Sequence, residues 1–358
     1  CSFINKRIKF IMAYSINSKD YFNTKLYTGN GSTNTAQTGV GFQPDWTWIK
    51  ERSSTSSNIL TDAVRGANKS LSSNLTSGQS TETQSLISFD SDGFTVGSGG
   101  GVNENSQTYV SWNWKANGQG SSNTAGSINT TYTSVNTTSG ISISQFTGTG
   151  SNATVGHGLG VAPNLIITKS LAATQEWCVG MDALGWDKYL FLNETSGSQS
   201  GSTYWQSTAP TSTVFSVGTA GPTNSSSAMI AYCFAEKTGF SKFGSYSGNG
   251  NGNGAFVYTG FKPKFLIIKN YSGNGDNWIM LTNELSTSGS NVINNYLKAD
   301  TSASESTASS NFPVDFFSTG FKLRGTDSGY NNGSSTYVYM AWADAPLVGS
   351  NNIPATAR

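Results

Sequence analysis

One phrase occurs three times in this chain. Tyr27 to Gly31 reads YTGNG, Phe146 to Gly150 reads FTGTG, and Tyr246 to Gly250 reads YSGNG. Thirteen residues after the last glycine of each stands Pro44, Pro163 or Pro263, within GFQPDWTWIK, GVAPNLIITK and GFKPKFLIIK. A second apolar run follows (NILTDAV, WCVGMDA, WIMLTNE), then a glycine-punctuated strand (GFTVG, VFSVG, GFKLRG), then a long aromatic strand (YVSWNWKA, MIAYCFAE, YVYMAWAD). The order never changes. The period of roughly 100 to 120 residues is far above that of a solenoid and large enough for a domain with its own core.

Short strands at regular spacing, with turn residues between and no helical period, predict antiparallel β-sandwiches of a jelly-roll-like kind. The expected layout is an amino-terminal arm (1–19), repeats at 20–118, 140–238 and 239–346, a Ser/Thr/Gly-rich linker at 119–139 with room for one strand, and a polar tail (347–358). Composition agrees with an all-β chain. Only 11% of residues are charged and 12% are aromatic, which is not the makeup of a disordered chain. A net charge of +1 without a basic stripe argues against nucleic acid. No run of 18 apolar residues occurs, so no membrane insertion is expected. Cys178 and Cys233 lie in apolar runs and read as small buried hydrophobes rather than a bridge. The amino end does not read as a secretory signal; its basic residues Lys6, Arg7 and Lys9 suggest either an arm that anchors to a neighbour or a cut or mis-started amino terminus.

YTGNG followed by GFxPxxxxIK, SFDSDGFTVGS with TYVSWNWKANG, and the middle copy's GTGSNATVGHGLGVAP and AYCFAEKTGFSKFGSY resemble repeat domains of virion-associated proteins of tailed bacteriophages, those of marine bacteria and cyanobacteria in particular. The resemblance spans about Tyr21 to Arg358. It implies a non-enzymatic structural protein of the extracellular particle, a tail-fibre or appendage component that touches the host surface. The implied partners are other virion proteins, further copies of the chain (a trimer, as in many fibres) and a host glycan. A capsid decoration or vertex protein, clamped by the basic arm, is the second reading. A polysaccharide-degrading tailspike is the third.

The three copies act as a small internal alignment: what the fold demands should recur, and what a ligand demands can appear once. By that rule the opening phrase is a turn, since no helix or phosphate-binding lysine follows it. Trp46 with Trp48 and Trp112 with Trp114 match other apolar residues in the sister copies and read as core. Trp177 and Trp278 match each other but face Asn58 in the first copy, and stay ambiguous. Trp186 lines up with Ala67, and Trp205 sits beside Tyr204 among serines, so Trp186, Tyr204 and Trp205 are the candidates for an exposed carbohydrate or surface contact. His157 lacks a nucleophile or metal partner and reads as a loop histidine. Asp90 and Asp92 imitate the start of a calcium loop, but the sister copies lack the carboxylates. Asp182 with Glu194, or Glu82 with Asp90, could serve glycoside hydrolysis only if folding brought them to one cleft. No cofactor or metal is expected.

Overall fold

A computed structural model describes residues 16–273, 275–285, 291–308 and 314–345. In the first copy the strands are β1 (Phe22–Thr28), β2 (Thr35–Thr38), β3 (Trp46–Glu51), β4 (Ile59–Asp62), β5 (Lys69–Ser72), β6 (Ser80–Thr81), β7 (Leu86–Asp90), β8 (Gly93–Val96) and β9 (Thr108–Trp114). They form a six-stranded sheet, β1-β9-β3-β4-β5-β6, and a three-stranded sheet, β2-β8-β7. All the pairings are antiparallel.

The same plan returns twice. The second large sheet runs Ile141–Thr147, Ala228–Phe234, Leu165–Ser170, Cys178–Met181, Lys188–Phe191 and Gln199–Ser200 in spatial order, opposite Ala153–Gly156 paired with Val214–Val217. The linker supplies a seventh strand, Thr130–Asn136, at its edge. The third runs Ser241–Ser247, Thr336–Ala343, Pro263–Asn270, Ile279–Thr282, Asn295–Lys298 and Ser306–Thr307, opposite Phe256–Tyr258, Gly320–Leu323 and Val314–Phe317.

β3 is buried along its whole length, and so are Leu165–Ser170 and Pro263–Asn270. A strand covered on both faces loses the apolar–polar alternation of a half-exposed strand. On the outward face, Ile49 of β3 and Tyr109 of β9 meet the small sheet and pack with Val40, Phe42, Phe94 and Val96 in a core private to the first copy. The inward residues meet the other two copies. Trp46, Trp48, Trp112 and Trp114 share one cluster with Ile143, Leu165, Ile167, Tyr232 and Phe234 of the second copy and Phe265, Trp278, Met280 and Trp342 of the third.

The rings cross the boundaries directly. Trp46 stacks on Tyr232 with centroids 4.5 Å apart, Trp112 stacks on Phe265 at 4.5 Å, and Phe234 meets Trp342 edge-on at 5.5 Å. Each such pair adds about 0.5–1.5 kcal/mol beyond its burial. The expectation that these residues are core holds. Each copy does keep a core of its own between its two sheets, but the large aromatic residues do not chiefly hold each copy shut; they fill a further, shared core and hold the three copies together around a common centre. Strand propensity cannot tell a sheet covered by its own copy from one covered by a sister copy.

Candidate functional site

The glycine phrase is architectural at every position. A Cβ on Gly29, Gly148 or Gly248 would lie 2.0–2.2 Å from a backbone oxygen of Glu104, Ser225 or Asn332. Gly31, Gly150 and Gly250 adopt φ of +67°, +66° and +61°, where a side chain is strained. Each turn closes on a fully buried asparagine. Asn103 donates to Ser32 O and Gly97 O and accepts from Asn30 N–H; Asn224 does the same with Ser151, Gly218 and Thr149, and Asn331 with Asn251, Gly325 and Asn249. Sequence reasoning passed over these asparagines. Their signal was available, since each precedes the long aromatic strand by four or five residues.

The junctions between copies carry the strongest recurring chemistry. Lys50, Lys169 and Lys269, the last residue of each proline motif, are 0% exposed. Each Nζ donates to backbone carbonyls of its own copy and of a neighbour: Lys50 to Ser302 O at 3.2 Å, Lys169 to Thr76 O at 2.8 Å, and Lys269 to Thr195 O at 2.6 Å. The direction is cyclic, first to third, second to first, third to second. Burial pulls all three ammonium groups down to about 8, against smaller opposing effects of nearby carboxylates.

The tryptophans left ambiguous by sequence belong to the same junctions. Trp177 Nε1 donates to Ser72 O and Trp278 Nε1 to Phe191 O, both at 2.9 Å. At the equivalent place Asn58 donates to Lys298 O, Ala299 O and Thr301 O. A backbone bond repeats at each boundary as well: Gln79 N–H to Leu171 O, Ser198 N–H to Tyr271 O and Glu305 N–H to Arg52 O. The Arg52–Glu305 ion pair, at 2.6 Å, ties the first copy to the third. Buried Tyr232 donates its hydroxyl to Asp62, which also pairs with Arg65. Three sandwiches are thereby closed into a ring with approximate threefold symmetry.

The proposed contact residues are not exposed. Trp186 is 7% and Trp205 0% exposed, both inside the private core of the second copy, and this corrects their reading as an exposed carbohydrate or surface contact. Gly180 explains their uniqueness: a Cβ there would lie 2.7 Å from each indole, whereas Thr61 and Leu281 occupy the same register in the sister copies. Two large side chains fill the room left by a missing one. Trp186 Nε1 donates to Asp182. Half-buried Tyr204 stacks on Tyr189 with centroids 3.6 Å apart.

The remaining candidates are structural too. His157 is fully buried; its Nδ1 accepts from Leu159 N–H, so Nε2 carries the proton toward Thr211 O. Burial holds its pKa down. The exposed carboxylate of Asp92 accepts from Gly39 and Gly41 N–H, which lowers its pKa, and Asp90 accepts from Ser88 and Thr95 hydroxyls. Asp182 is held by Asn164 and Trp186, and Glu194 by Ser196. Cys178 and Cys233 are free and buried, as expected. Lys6, Arg7 and Lys9 lie outside the described residues. Among the described residues no group of three or more His, Cys, Asp or Glu is placed to hold a metal, and no helix is long and apolar enough to cross a membrane.

Two surface features stand out among the described residues, each in a single copy. The first copy has a recess of about 400 Å³ lined by Ser70, Ser72, Leu75, Ser80, Glu82 and Gln84. At the register of Ser70 and Ser72 the second copy places Tyr189 and Phe191, which Tyr204 covers. In the third copy Phe256, Tyr258 and Phe317 stand 48%, 64% and 38% exposed on the small sheet.

No curated protein and no solved structure matches the chain significantly. A family model covers residues 17–346, and the chain belongs to that family, the domain of unknown function DUF7483.

Proposed function

We propose that the protein is a non-enzymatic structural component of a bacteriophage virion, a tail-fibre or appendage subunit working at the host surface. The observation that carries this reading is the ring of three sandwiches closed over one shared core. Its recurring polar side chains, Lys50, Lys169, Lys269, Asn103, Asn224 and Asn331, are all spent within the fold, chiefly on backbone groups. Such a body resists deformation and leaves its outer sheets free to differ. Three of the carboxylates offered for glycoside hydrolysis, Asp182, Glu194 and Asp90, are engaged with tryptophan, asparagine and hydroxyl donors, which supports a non-catalytic role. A surface with few charges should also make contacts that depend little on salt.

A host glycan, if bound, fits the serine-lined recess better than the buried tryptophans. Ser72, Ser80 and Glu82 offer hydroxyl and carboxylate partners there, and Leu75 an apolar rim. Electron microscopy of particles labelled with antibody against this chain tests the proposal. Label on the tail is expected. Label over the head would replace the reading with a capsid decoration role, and oligosaccharide released from host polysaccharide by the purified protein would overturn the non-enzymatic assignment.

A further inference from the structure

The edge of each small sheet is treated differently in the second and third copies. In the second, the linker lies along Ala153–Gly156: Ile128 N–H donates to Thr154 O at 3.0 Å, and Thr154 N–H donates to Ser127 Oγ at 2.9 Å. Ile128 closes the private core beside Val155. The third copy follows the second with no such linker. Its equivalent strand, Phe256–Tyr258, stands last in its sheet, with no partner on the outer side among the described residues. The flanking ladder bonds, Leu323 N–H to Ala255 O and Thr259 N–H to Thr319 O, set the alternation. Phe256 and Tyr258 must therefore turn their N–H and C=O groups away from Gly320–Leu323.

An uncovered edge usually carries charge or proline that discourages pairing. This one carries aromatic side chains. Ala36 and Thr38 in the first copy, and Thr154 and Gly156 in the second, occupy the places of Phe256 and Tyr258. Phe317 joins from the far strand, its ring 5.9 Å from that of Phe256. The described residues expose six large apolar side chains, and these three are all the aromatic ones.

We propose that the strand Phe256–Tyr258 is a homodimer interface, pairing antiparallel with the same strand of a second copy of this chain. The edge is self-complementary. With a twofold axis through Val257, Phe256 of one copy faces Tyr258 of the other, and both residues present outward N–H and C=O. Each facing pair exchanges two hydrogen bonds, four in all, and sets aromatic side chains against each other across the junction. Lys322, Arg324 and Asp315 beside the strand carry both signs, and a net charge of +1 gives two copies little reason to repel. The interface stands whether or not the protein belongs to a virion.

Light scattering and analytical ultracentrifugation over a concentration series test it, with amide exchange as a second readout. The wild-type mass should rise from 37.8 kDa toward twice that value with concentration. Exchange at Phe256 and Tyr258 should slow in parallel, while that at Ala36 and Thr38 stays fast. Tyr258→Asp, at a side chain the fold leaves exposed, should abolish the dimer; Thr38→Asp, at the same place in the first copy, should leave it intact. A monomer at every concentration, a trimeric mass, or a dimer that survives Tyr258→Asp would overturn the proposal. So would protection of the Phe256 and Tyr258 amides in the dilute monomer, which would mean that the chain covers its own edge.

Discussion

The two faces of each large sheet teach opposite lessons. Inward, the copies agree in kind. Trp46, Leu165 and Phe265 share a register, as do Trp112, Tyr232 and Met340, and all enter the shared core. Outward, they diverge. Ser70 and Ser72 stand where the second copy has Tyr189 and Phe191, and Ala36 stands where the third has Phe256. Faces that must meet two sister copies around one axis tolerate changes of shape only within a class, because volume lost by one must be filled by another. The outer sheets answer only to their own copy and to whatever they touch outside.

The most severe way to break the inner face is Trp46→Ala. Trp46 stacks on Trp114 of its own copy at 4.4 Å and on Tyr232 of the next at 4.5 Å. Its loss should cost about 3–5 kcal/mol, as large-to-small changes of buried aromatics do. Because the core is shared, calorimetry should show one transition moved to lower temperature. Two separated transitions, one at the wild-type position, would mean that the copies unfold independently and that the common core does not couple them.

The junction lysines come next. Lys269→Met keeps the apolar stem but leaves Thr195 O and Asp276 O without their donor. An unpaired buried carbonyl is expensive, and the variant should lose ~2–4 kcal/mol in denaturant unfolding. Lys262→Met sharpens the comparison. That lysine is 43% exposed and only 3.8 Å from Asp344, so its removal should shift stability by less than about 0.5 kcal/mol. Equal losses would remove the distinction between junction and surface lysine.

Asn331→Ala should cost about 1–3 kcal/mol through the carbonyls of Asn251 and Gly325 and the N–H of Asn249. The damage belongs to one turn, so amide exchange should rise at Asn249 and Gly250 before it rises in the Pro263–Asn270 strand. Uniform acceleration would instead make the asparagine part of the global core.

Much of this was legible from self-comparison. The repeat, the all-β class, the buried faces of the Trp46–Trp48 and Trp112–Trp114 pairs, the structural glycines and the free cysteines all follow from periodicity and turn chemistry. What failed was the rule that a feature found once serves a ligand. Trp186 and Trp205 are unique because Gly180 is unique, and compensation between residues distant in sequence cannot be read along one strand. The lysine clamps were hidden for the opposite reason. A lysine ending an apolar strand looks like a solvated strand terminus, and only its return at Lys50, Lys169 and Lys269 in a charge-poor chain hints at burial. The aromatic edge of the third copy is the case where the rule of uniqueness holds: no missing volume accompanies Phe256 and Tyr258, and they remain exposed.

The same lysines give the comparison its mildest test, through pH. Their folded pKa of about 8 lies below the 10.5 of a free lysine, so between those values the unfolded chain binds more protons than the folded one. Stability then rises with pH across that window and is indifferent to these groups below about 8. Buried Tyr232 and half-buried Tyr27 and Tyr246 act the other way: burial raises their pKa, so the stability they lend is lost as the unfolded chain ionises near pH 10. The useful interval is therefore pH 8 to about 9.5. There the melting temperature of the wild type should climb more steeply than that of Lys269→Met, which has one buried amine fewer. Parallel slopes would mean that the carbonyls of Thr195 and Asp276 fully offset the cost of burying the charge. In that event the clamp is ionised throughout the interval, and its contribution to the ring is purely that of hydrogen bonds.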